Sequence, residues 1–257
     1  MKEARSIRGI FYFLSWRDIL VRYKQTVIGI GWAIVKPFIT MVVFTVIFSG
    51  IAKLPSGGIP YPIMVFVAML PWQFFAGSLN DSSSSLVANS NLISKVYFPR
   101  IIIPASSIVV NLVDFFVSFS ILALLMVWYR FVPSWHILAL PFLILMACMA
   151  SLGVGLWLAS LNVKYHDFRY IVPFIIQLGL YISPVGFSSN IVPEKWRLLY
   201  SLNPMVGIID GFRWAILGRQ AKFYMPGFIF SIILITIMLW AGVKYFRRTE
   251  RTFADVI

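Results

Sequence analysis

Hydrophobic residues in this chain are gathered into six long blocks separated by shorter, more polar stretches. The blocks cover residues 31–51, 61–79, 101–128, 137–161, 170–187 and 226–245. A membrane hydrocarbon core of about 30 Å requires about 20 apolar residues in a helix, and each block approaches or exceeds that length. Because a backbone that faces lipid must satisfy its own hydrogen bonds, each block is predicted to be helical. The pattern predicts an all-α polytopic membrane protein with six transmembrane helices, folded as a single domain over residues 1–257.

Two further segments are too polar to cross a membrane but too apolar to lie free in water. Residues 9–24 mix aromatic and aliphatic side chains with Arg17, Arg22 and Lys24, which predicts an amphipathic interface helix at the N-terminus. This helix is either a simple anchor or a guide for an amphiphilic substrate that enters from the inner leaflet. Residues 188–225, interrupted by prolines, predict short re-entrant helices on the outer face, where irregular backbone near a cavity is tolerated.

The charges are few and unevenly placed. Hydrophobic residues make up 60% of the chain, charged residues only 12%, and the formal net charge is +13. The basic residues concentrate before the first block, after the second and fourth, and after the last. By the positive-inside rule both termini are predicted to be cytoplasmic, in agreement with an even number of spans. The basic excess therefore indicates topology and attraction to membrane lipids, and no nucleic acid partner is expected.

Polar residues inside the apolar blocks need partners. Asp114 lies near the middle of the third block, where a carboxylate normally faces the bundle interior, and Lys36 or a backbone or hydroxyl donor is a possible partner. Asp210 and Arg213, three residues apart in the outer segment, predict a local ion pair. Small residues recur at every fourth position in the fourth block and predict close helix packing. These are Ala147, Ser151, Gly155 and Ala159.

The residue types that perform catalysis are scarce. The chain holds nine acids, two histidines and one cysteine, and no phosphate-binding loop of the Gly-x-x-x-x-Gly-Lys-Ser/Thr type. His136 and His166 are predicted on opposite sides of the membrane, so no metal site is expected within one subunit. A membrane-embedded glycan-modifying enzyme would need paired acids or histidines facing a cavity. A proton-coupled carrier would rest on Asp114 alone, and no inverted repeat is evident.

The longest predicted cytoplasmic loop contains a short helix at residues 88–99. Leu92, Tyr97 and Phe98 give it an apolar face beside Lys95 and Arg100, and Pro99 ends it. A loop this short is expected to have nothing of its own to bury that face against. The exposed face therefore predicts docking into a groove of a partner protein.

The same loop carries a family resemblance. The segment NSNLISKVYFPRIIIP (89–104) resembles the coupling-helix region of type-2 ABC exporter permeases, in the branch that exports O-antigen and related lipid-linked polysaccharides. RYKQTVIGIGWA (22–33), LNVKYHDFRYIVP (161–173), ISPV (182–185), LNPM (202–205) and DGFR (210–213) resemble further family segments, in the family's order, across about 200 residues. Two positions depart from the pattern: His166 stands where arginine is common, and Lys36 where a neutral amide is common.

The resemblance implies a homodimeric permease of the inner membrane, paired with two copies of a separate ATPase subunit. ATP and Mg would bind to that subunit, and this chain would bind no cofactor of its own. The complex would export an undecaprenyl-diphosphate-linked polysaccharide from cytoplasm to periplasm; a teichoic acid, a capsule or another lipid-linked glycan is the alternative. Residues 188–225 would form the periplasmic gate.

The resemblance also suggests roles for individual residues. The expected contacts with the ATPase are Asn91, Leu92, Lys95, Tyr97, Phe98, Pro99 and Arg100. The expected lining of the translocation path is Trp32, Phe38, Phe174, Tyr181 and Ser183. Arg17, Arg22 and Lys24 would attract the diphosphate headgroup, or else serve only to set topology.

Overall fold

The computed structural model describes residues 2–24, 31–53, 58–95, 98–218, 221 and 223–253, and no strand occurs in these ranges. The helices are α1 (Lys2–Lys24), α2 (Gly31–Thr45, extended by a π-helical turn, Val46–Ile51), α3 (Tyr61–Ala88), α4 (Ser90–Lys95), α5 (Ile102–Trp128), α6 (Leu140–Lys164, preceded by a 3-10 turn, Trp135–Ala139), α7 (Phe168–Ile182), α8 (Glu194–Tyr200), α9 (Pro204–Leu217) and α10 (Met225–Thr249, followed by a 3-10 turn, Glu250–Thr252). The all-helical prediction is confirmed, and α1 begins earlier than the predicted residue 9.

Five helical segments in the described ranges are long and apolar enough to cross a membrane: Ile34–Ile51, Tyr61–Ala88, Ile102–Trp128, Trp135–Lys164 and Met225–Thr249. The fifth predicted span, residues 170–187, is instead the 15-residue helix α7. At 1.5 Å per residue α7 measures about 22 Å, less than the ~30 Å hydrocarbon core. The helix stops because Ser183 precedes a proline and adopts an extended backbone, with φ −80° and ψ 149°.

Helix α3 is the centre of the bundle. It packs against α5, α6, α9, α2 and α7. Its neighbours bury it on every side, which explains why its apolar residues are not confined to one stripe. The apolar windows of α2 and α10 are far more exposed, as expected for helices on the outside of a membrane bundle.

Small residues bring α6 close to two neighbours, as the sequence predicted. All four residues of the stripe are buried. A Cβ added at Gly155 would lie 3.1 Å from the Cβ of Ser82 on α3. On the other side of α6, a Cβ at Gly242 of α10 would overlap the carbonyl oxygen of Gly153. The backbones of α6 and α10 therefore touch directly, which only glycine permits.

The two ends of the bundle differ. At one end, here called the terminal face, α1, α4 and the end of α10 meet in a small apolar cluster that includes Leu14, Ile93 and Phe246. At the opposite face lie the short helices α8 and α9, which fall within residues 188–225. Helix α9 is almost wholly buried against α3, α6 and α10, whereas α8 lies at the surface.

Candidate functional site: a polar cavity among the membrane helices

A cavity of about 660 Å³ lies between α2, α3, α5 and α7, and the last residues of α1 close one end. Along α3 it extends from Met69 to Asp81, a rise of about 18 Å at 1.5 Å per residue. Its end toward the terminal face is polar and charged. Its other end is mainly apolar, with Leu70, Phe115 and Leu180 among its walls. The cavity is therefore amphipathic along its length.

An ion cluster forms the polar end of this cavity. Arg22 of α1 reaches Asp81 of α3 and Asp114 of α5, with nitrogen–oxygen distances of 2.9 Å to each. The bond to Asp81 is aligned as a hydrogen bond, and the contact with Asp114 is an ion pair by distance. Asn111 Nδ2 also donates to Asp81, at 2.8 Å. Two carboxylates share one guanidinium, so the cluster carries a net charge of about −1.

Tyr23 completes the cluster, because its hydroxyl donates to Asp114 Oδ1. Burial and the hydrogen bond to Asp114 raise the pKa of this hydroxyl, so Tyr23 remains a donor at neutral pH. A hydroxyl donor was one of the open alternatives for Asp114, and Tyr23 supplies it. Arg22 was missed as a partner, because it lies 92 positions earlier and nothing in the local pattern links the two.

Lys36 lines the same cavity from α2 but makes no ion pair within 4 Å of any described carboxylate. Gln73 of α3 and Gln177 of α7 also line the cavity. These three residues each interrupt an apolar block. Polar residues within membrane segments usually mark a functional site, so their positions were the sequence signal that could have located the cavity.

Two of the three expected headgroup residues already have acidic partners. Arg17 contacts Asp18 at 2.7 Å and donates to Asn89 at 2.9 Å. Arg22 belongs to the cluster described above. Within the described ranges, Lys24 is the only one of the three that is exposed and without a carboxylate partner.

The expected path residues do not come together in the cavity. Phe174 and Tyr181 are 61% and 63% exposed on a neighbouring face of α7, and Phe38 is exposed on the far side of α2. The side chain of Trp32 lies outside the described residues. Ser183 is fully buried and accepts a hydrogen bond from Asn203 Nδ2 at 2.9 Å. Ser183 therefore cannot line a path in this conformation, because the turn after α7 tucks it beneath the start of α9.

The loop between α3 and α5 differs from its prediction. Helix α4 covers only Ser90–Lys95, and Tyr97 lies outside the described residues. Phe98 is only 7% exposed and packs in the apolar cluster of the terminal face. The expectation that this loop had nothing of its own to bury against is wrong, because α1 and the end of α10 fold over it.

Of the other residues of this loop, some are exposed and one is held by a contact within the subunit. Arg100 is half-buried and donates to the backbone carbonyl of Glu250. Asn91, Lys95 and Pro99 are exposed, and Leu92 is half-buried.

The predicted ion pair between Asp210 and Arg213 does not form. Arg213 is buried and donates to the carbonyls of Phe187 at 2.8 Å and Val185 at 3.0 Å. These carbonyls belong to the turn that follows α7, so they have no intrahelical donors. Asp210 lines a small pocket under α8. Burial raises the pKa of Asp210 to about 6, although the positive charge of Arg213 partly offsets the shift.

No group of three or more histidine, cysteine or acidic side chains suited to a metal ion occurs among the residues that the structure describes.

Comparisons with known proteins agree with this architecture. The family description "ABC-2 type transporter" matches residues 10–217. An O-antigen export system permease protein RfbA of Myxococcus xanthus is 28% identical, over the whole of this chain and 98% of that protein. A Klebsiella pneumoniae protein of the same name is 26% identical, over 94% of this chain and 92% of its own. The inner membrane transport permease YadH of Escherichia coli K12 is also 26% identical, over 72% of this chain and 75% of its own.

Proposed function

This chain belongs to the ABC-2 type transporter family, and we infer that it is the membrane-spanning subunit of an ATP-driven exporter of an O-antigen-type, lipid-linked polysaccharide. The observation that carries this proposal is the end-to-end similarity to O-antigen export permeases, which extends over nearly the full length of both proteins. The likeness to the general transport permease covers only about three quarters of each chain. The proposed substrate class is therefore that of the relatives that match over nearly their full length.

The chain is proposed to work as a homodimer with two copies of a separate ATPase, and ATP and Mg would bind there. Its sequence has no nucleotide-binding loop, so the energy would come from that partner. The exposed faces of α2 and α7 are proposed to border the path between the two copies. Phe38, Phe174 and Tyr181 lie on those faces, and aromatic rings stack on sugars without fixing one register.

The terminal face is proposed to be cytoplasmic, in the inner membrane, and to receive the ATPase. Asn91, Leu92, Lys95 and Pro99 offer an accessible surface for that contact, with Lys95 as the positive charge. Phe98 and Arg100 instead make contacts within the subunit, which hold the loop against α1 and the end of α10. Lys24 is the remaining candidate for attraction of the diphosphate headgroup.

The test of the function is removal of this subunit from a producing strain. Cells that lack it are expected to accumulate the completed lipid-linked glycan on the cytoplasmic leaflet and to display none outside. Reintroduction of the wild-type chain should restore display. Loss of a teichoic acid or a capsule instead would redirect the substrate, and unchanged display of every glycan would refute the proposal.

A matched pair of charge reversals tests the docking surface. Lys95→Glu on α4 should release the ATPase from the purified complex, because interfacial charges of like sign repel. Lys195→Glu on α8, at the opposite face, should leave the ATPase bound. Release by both variants, or by neither, would show that the ATPase docks elsewhere.

A further inference from the structure

The polar end of the cavity carries charges of both signs on separate walls. The cluster of Arg22, Asp81 and Asp114 carries a net charge of about −1, and it joins α1, α3 and α5. Lys36 provides a positive charge from α2, with no carboxylate within 4 Å in the described ranges. The cavity as a whole is therefore close to neutral, but its two charged walls remain unmatched to each other.

The near-zero net charge of the cavity and the separation of its charged walls determine which lipid headgroup fits. A diphosphate would bring at least two negative charges beside carboxylates that already outnumber Arg22, and like charges so close are repelled. A singly charged anionic lipid would satisfy Lys36 but leave the excess carboxylate charge unpaired. A zwitterion with one phosphate and one primary ammonium satisfies both walls, because the ammonium supplies three hydrogen-bond donors for carboxylate oxygens.

The remainder of the cavity suits a hydrocarbon chain. From the cluster it continues toward the opposite face between Leu70, Phe115 and Leu180. Its volume of about 660 Å³ lies within the range of about 300–1,000 Å³ that is typical of ligand pockets.

We propose that this cavity binds one phosphoethanolamine lipid, with its phosphate at Lys36, its ammonium at the Asp81–Arg22–Asp114 cluster and one acyl chain along the apolar walls. Gln73 and Gln177 provide amide donors and acceptors between the two charged walls. The site rests on the geometry of a single subunit. It requires neither the ATPase nor the exported glycan, so its test is independent of the proposed function.

The experiment is native mass spectrometry of the full-length detergent-purified protein with equal concentrations of three dioleoyl lipids. Phosphatidylethanolamine is expected to bind roughly fivefold better than phosphatidylglycerol, which corresponds to about 1 kcal/mol. It should also exceed phosphatidylcholine, because the quaternary ammonium of that lipid donates no hydrogen bond. Equal binding of the three lipids, or a preference for phosphatidylglycerol, would overturn the proposal.

Variants assign the preference to this cavity. Lys36→Gln should reduce phosphatidylethanolamine binding by a similar factor, whereas Lys195→Gln on the exposed helix α8 should leave it unchanged. Asp114→Asn removes the excess negative charge and should shift the preference toward phosphatidylglycerol. If that variant does not fold, Asp81→Asn removes the same charge from α3 and provides the same readout. Unchanged phosphatidylethanolamine binding in Lys36→Gln, or unchanged lipid selectivity in the folded aspartate variant, would contradict the site.

Discussion

Replacement of Arg22 by glutamine tests the most consequential contact in the membrane region. The guanidinium holds the end of α1 against α3 and α5 through Asp81 and Asp114. Without it, two carboxylates of like charge remain at the end of one cavity. Asn111 still donates to Asp81 and Tyr23 still donates to Asp114, so each carboxylate keeps a hydrogen bond but loses its counter-charge.

The expected cost follows from the degree of burial. Two unit charges 4 Å apart interact by about 4 kcal/mol at an effective dielectric constant of 20. The Arg22 side chain is 34% exposed and the two aspartates about 30%. Exposed pairs contribute at most about 1 kcal/mol, and removal of one partner of a buried pair costs about 3–5 kcal/mol. We therefore expect Arg22→Gln to lower the stability by about 2 kcal/mol.

A double-mutant cycle isolates the interaction. Arg22→Gln, Asp114→Asn and the double variant are compared by thermal unfolding in one detergent, followed by tryptophan fluorescence. The double variant should lose about 1 kcal/mol less stability than the two single variants lose in sum. For a chain of this size, that difference corresponds to about 2–4 °C in melting temperature. The control combines Asp114→Asn with Arg17→Gln, because Arg17 pairs with Asp18 rather than with Asp114. Additive losses in the Arg22 cycle, or equal coupling in the control, would refute the ion cluster.

Three further predictions use the same unfolding assay. Because burial raises the pKa of Asp210 from its ordinary 3.8 to about 6, the folded state binds the proton more tightly than the unfolded state does. The stability should therefore fall as the pH rises from about 4 to 6, and Asp210→Asn should remove this pH dependence. Gly242→Ala should abolish folded protein because its methyl group meets the Gly153 backbone, whereas Gly155→Ala should cost only a few degrees. Phe98→Ala should cost about 3 kcal/mol through a cavity in the terminal face, and an unchanged melting temperature would show that Phe98 is not buried there.

The sequence predicted the membrane helices well because long apolar runs respond to a single physical constraint. The exception, α7, ends at Ile182 because Ser183 precedes a proline and is extended, a local signal that outweighed the apolar residues beyond it. The small-residue stripe on α6 was also predictable, since close backbone approach leaves few residue choices. Composition and residue spacing thus predicted most of the helices and one helix-packing surface.

The contacts of individual side chains were much less predictable, because they depend on segments that are distant in the sequence. Phe98 was expected at the surface, yet α1 and the end of α10 cover it from more than 80 residues away in either direction. Arg213 was expected to pair with its neighbour on the same helix, but it reaches carbonyls of the turn after α7. Arg22 was expected either to attract a lipid headgroup or only to set topology, and it instead contacts two aspartates. In each case the side chain contacts a segment that is distant in the sequence.

The exposed faces of α2 and α7 are proposed to border the path of a lipid-linked glycan. A photo-crosslinking amino acid at Phe174 of α7 tests this placement, with the same amino acid at Trp240, an exposed position on α10, as the control. In membranes that contain the ATPase and radiolabelled lipid-linked glycan, we expect glycan labelling at position 174 that requires ATPase activity, and none at position 240. Equal labelling at both positions, or labelling at 174 that persists without the ATPase, would show that these faces do not border the path.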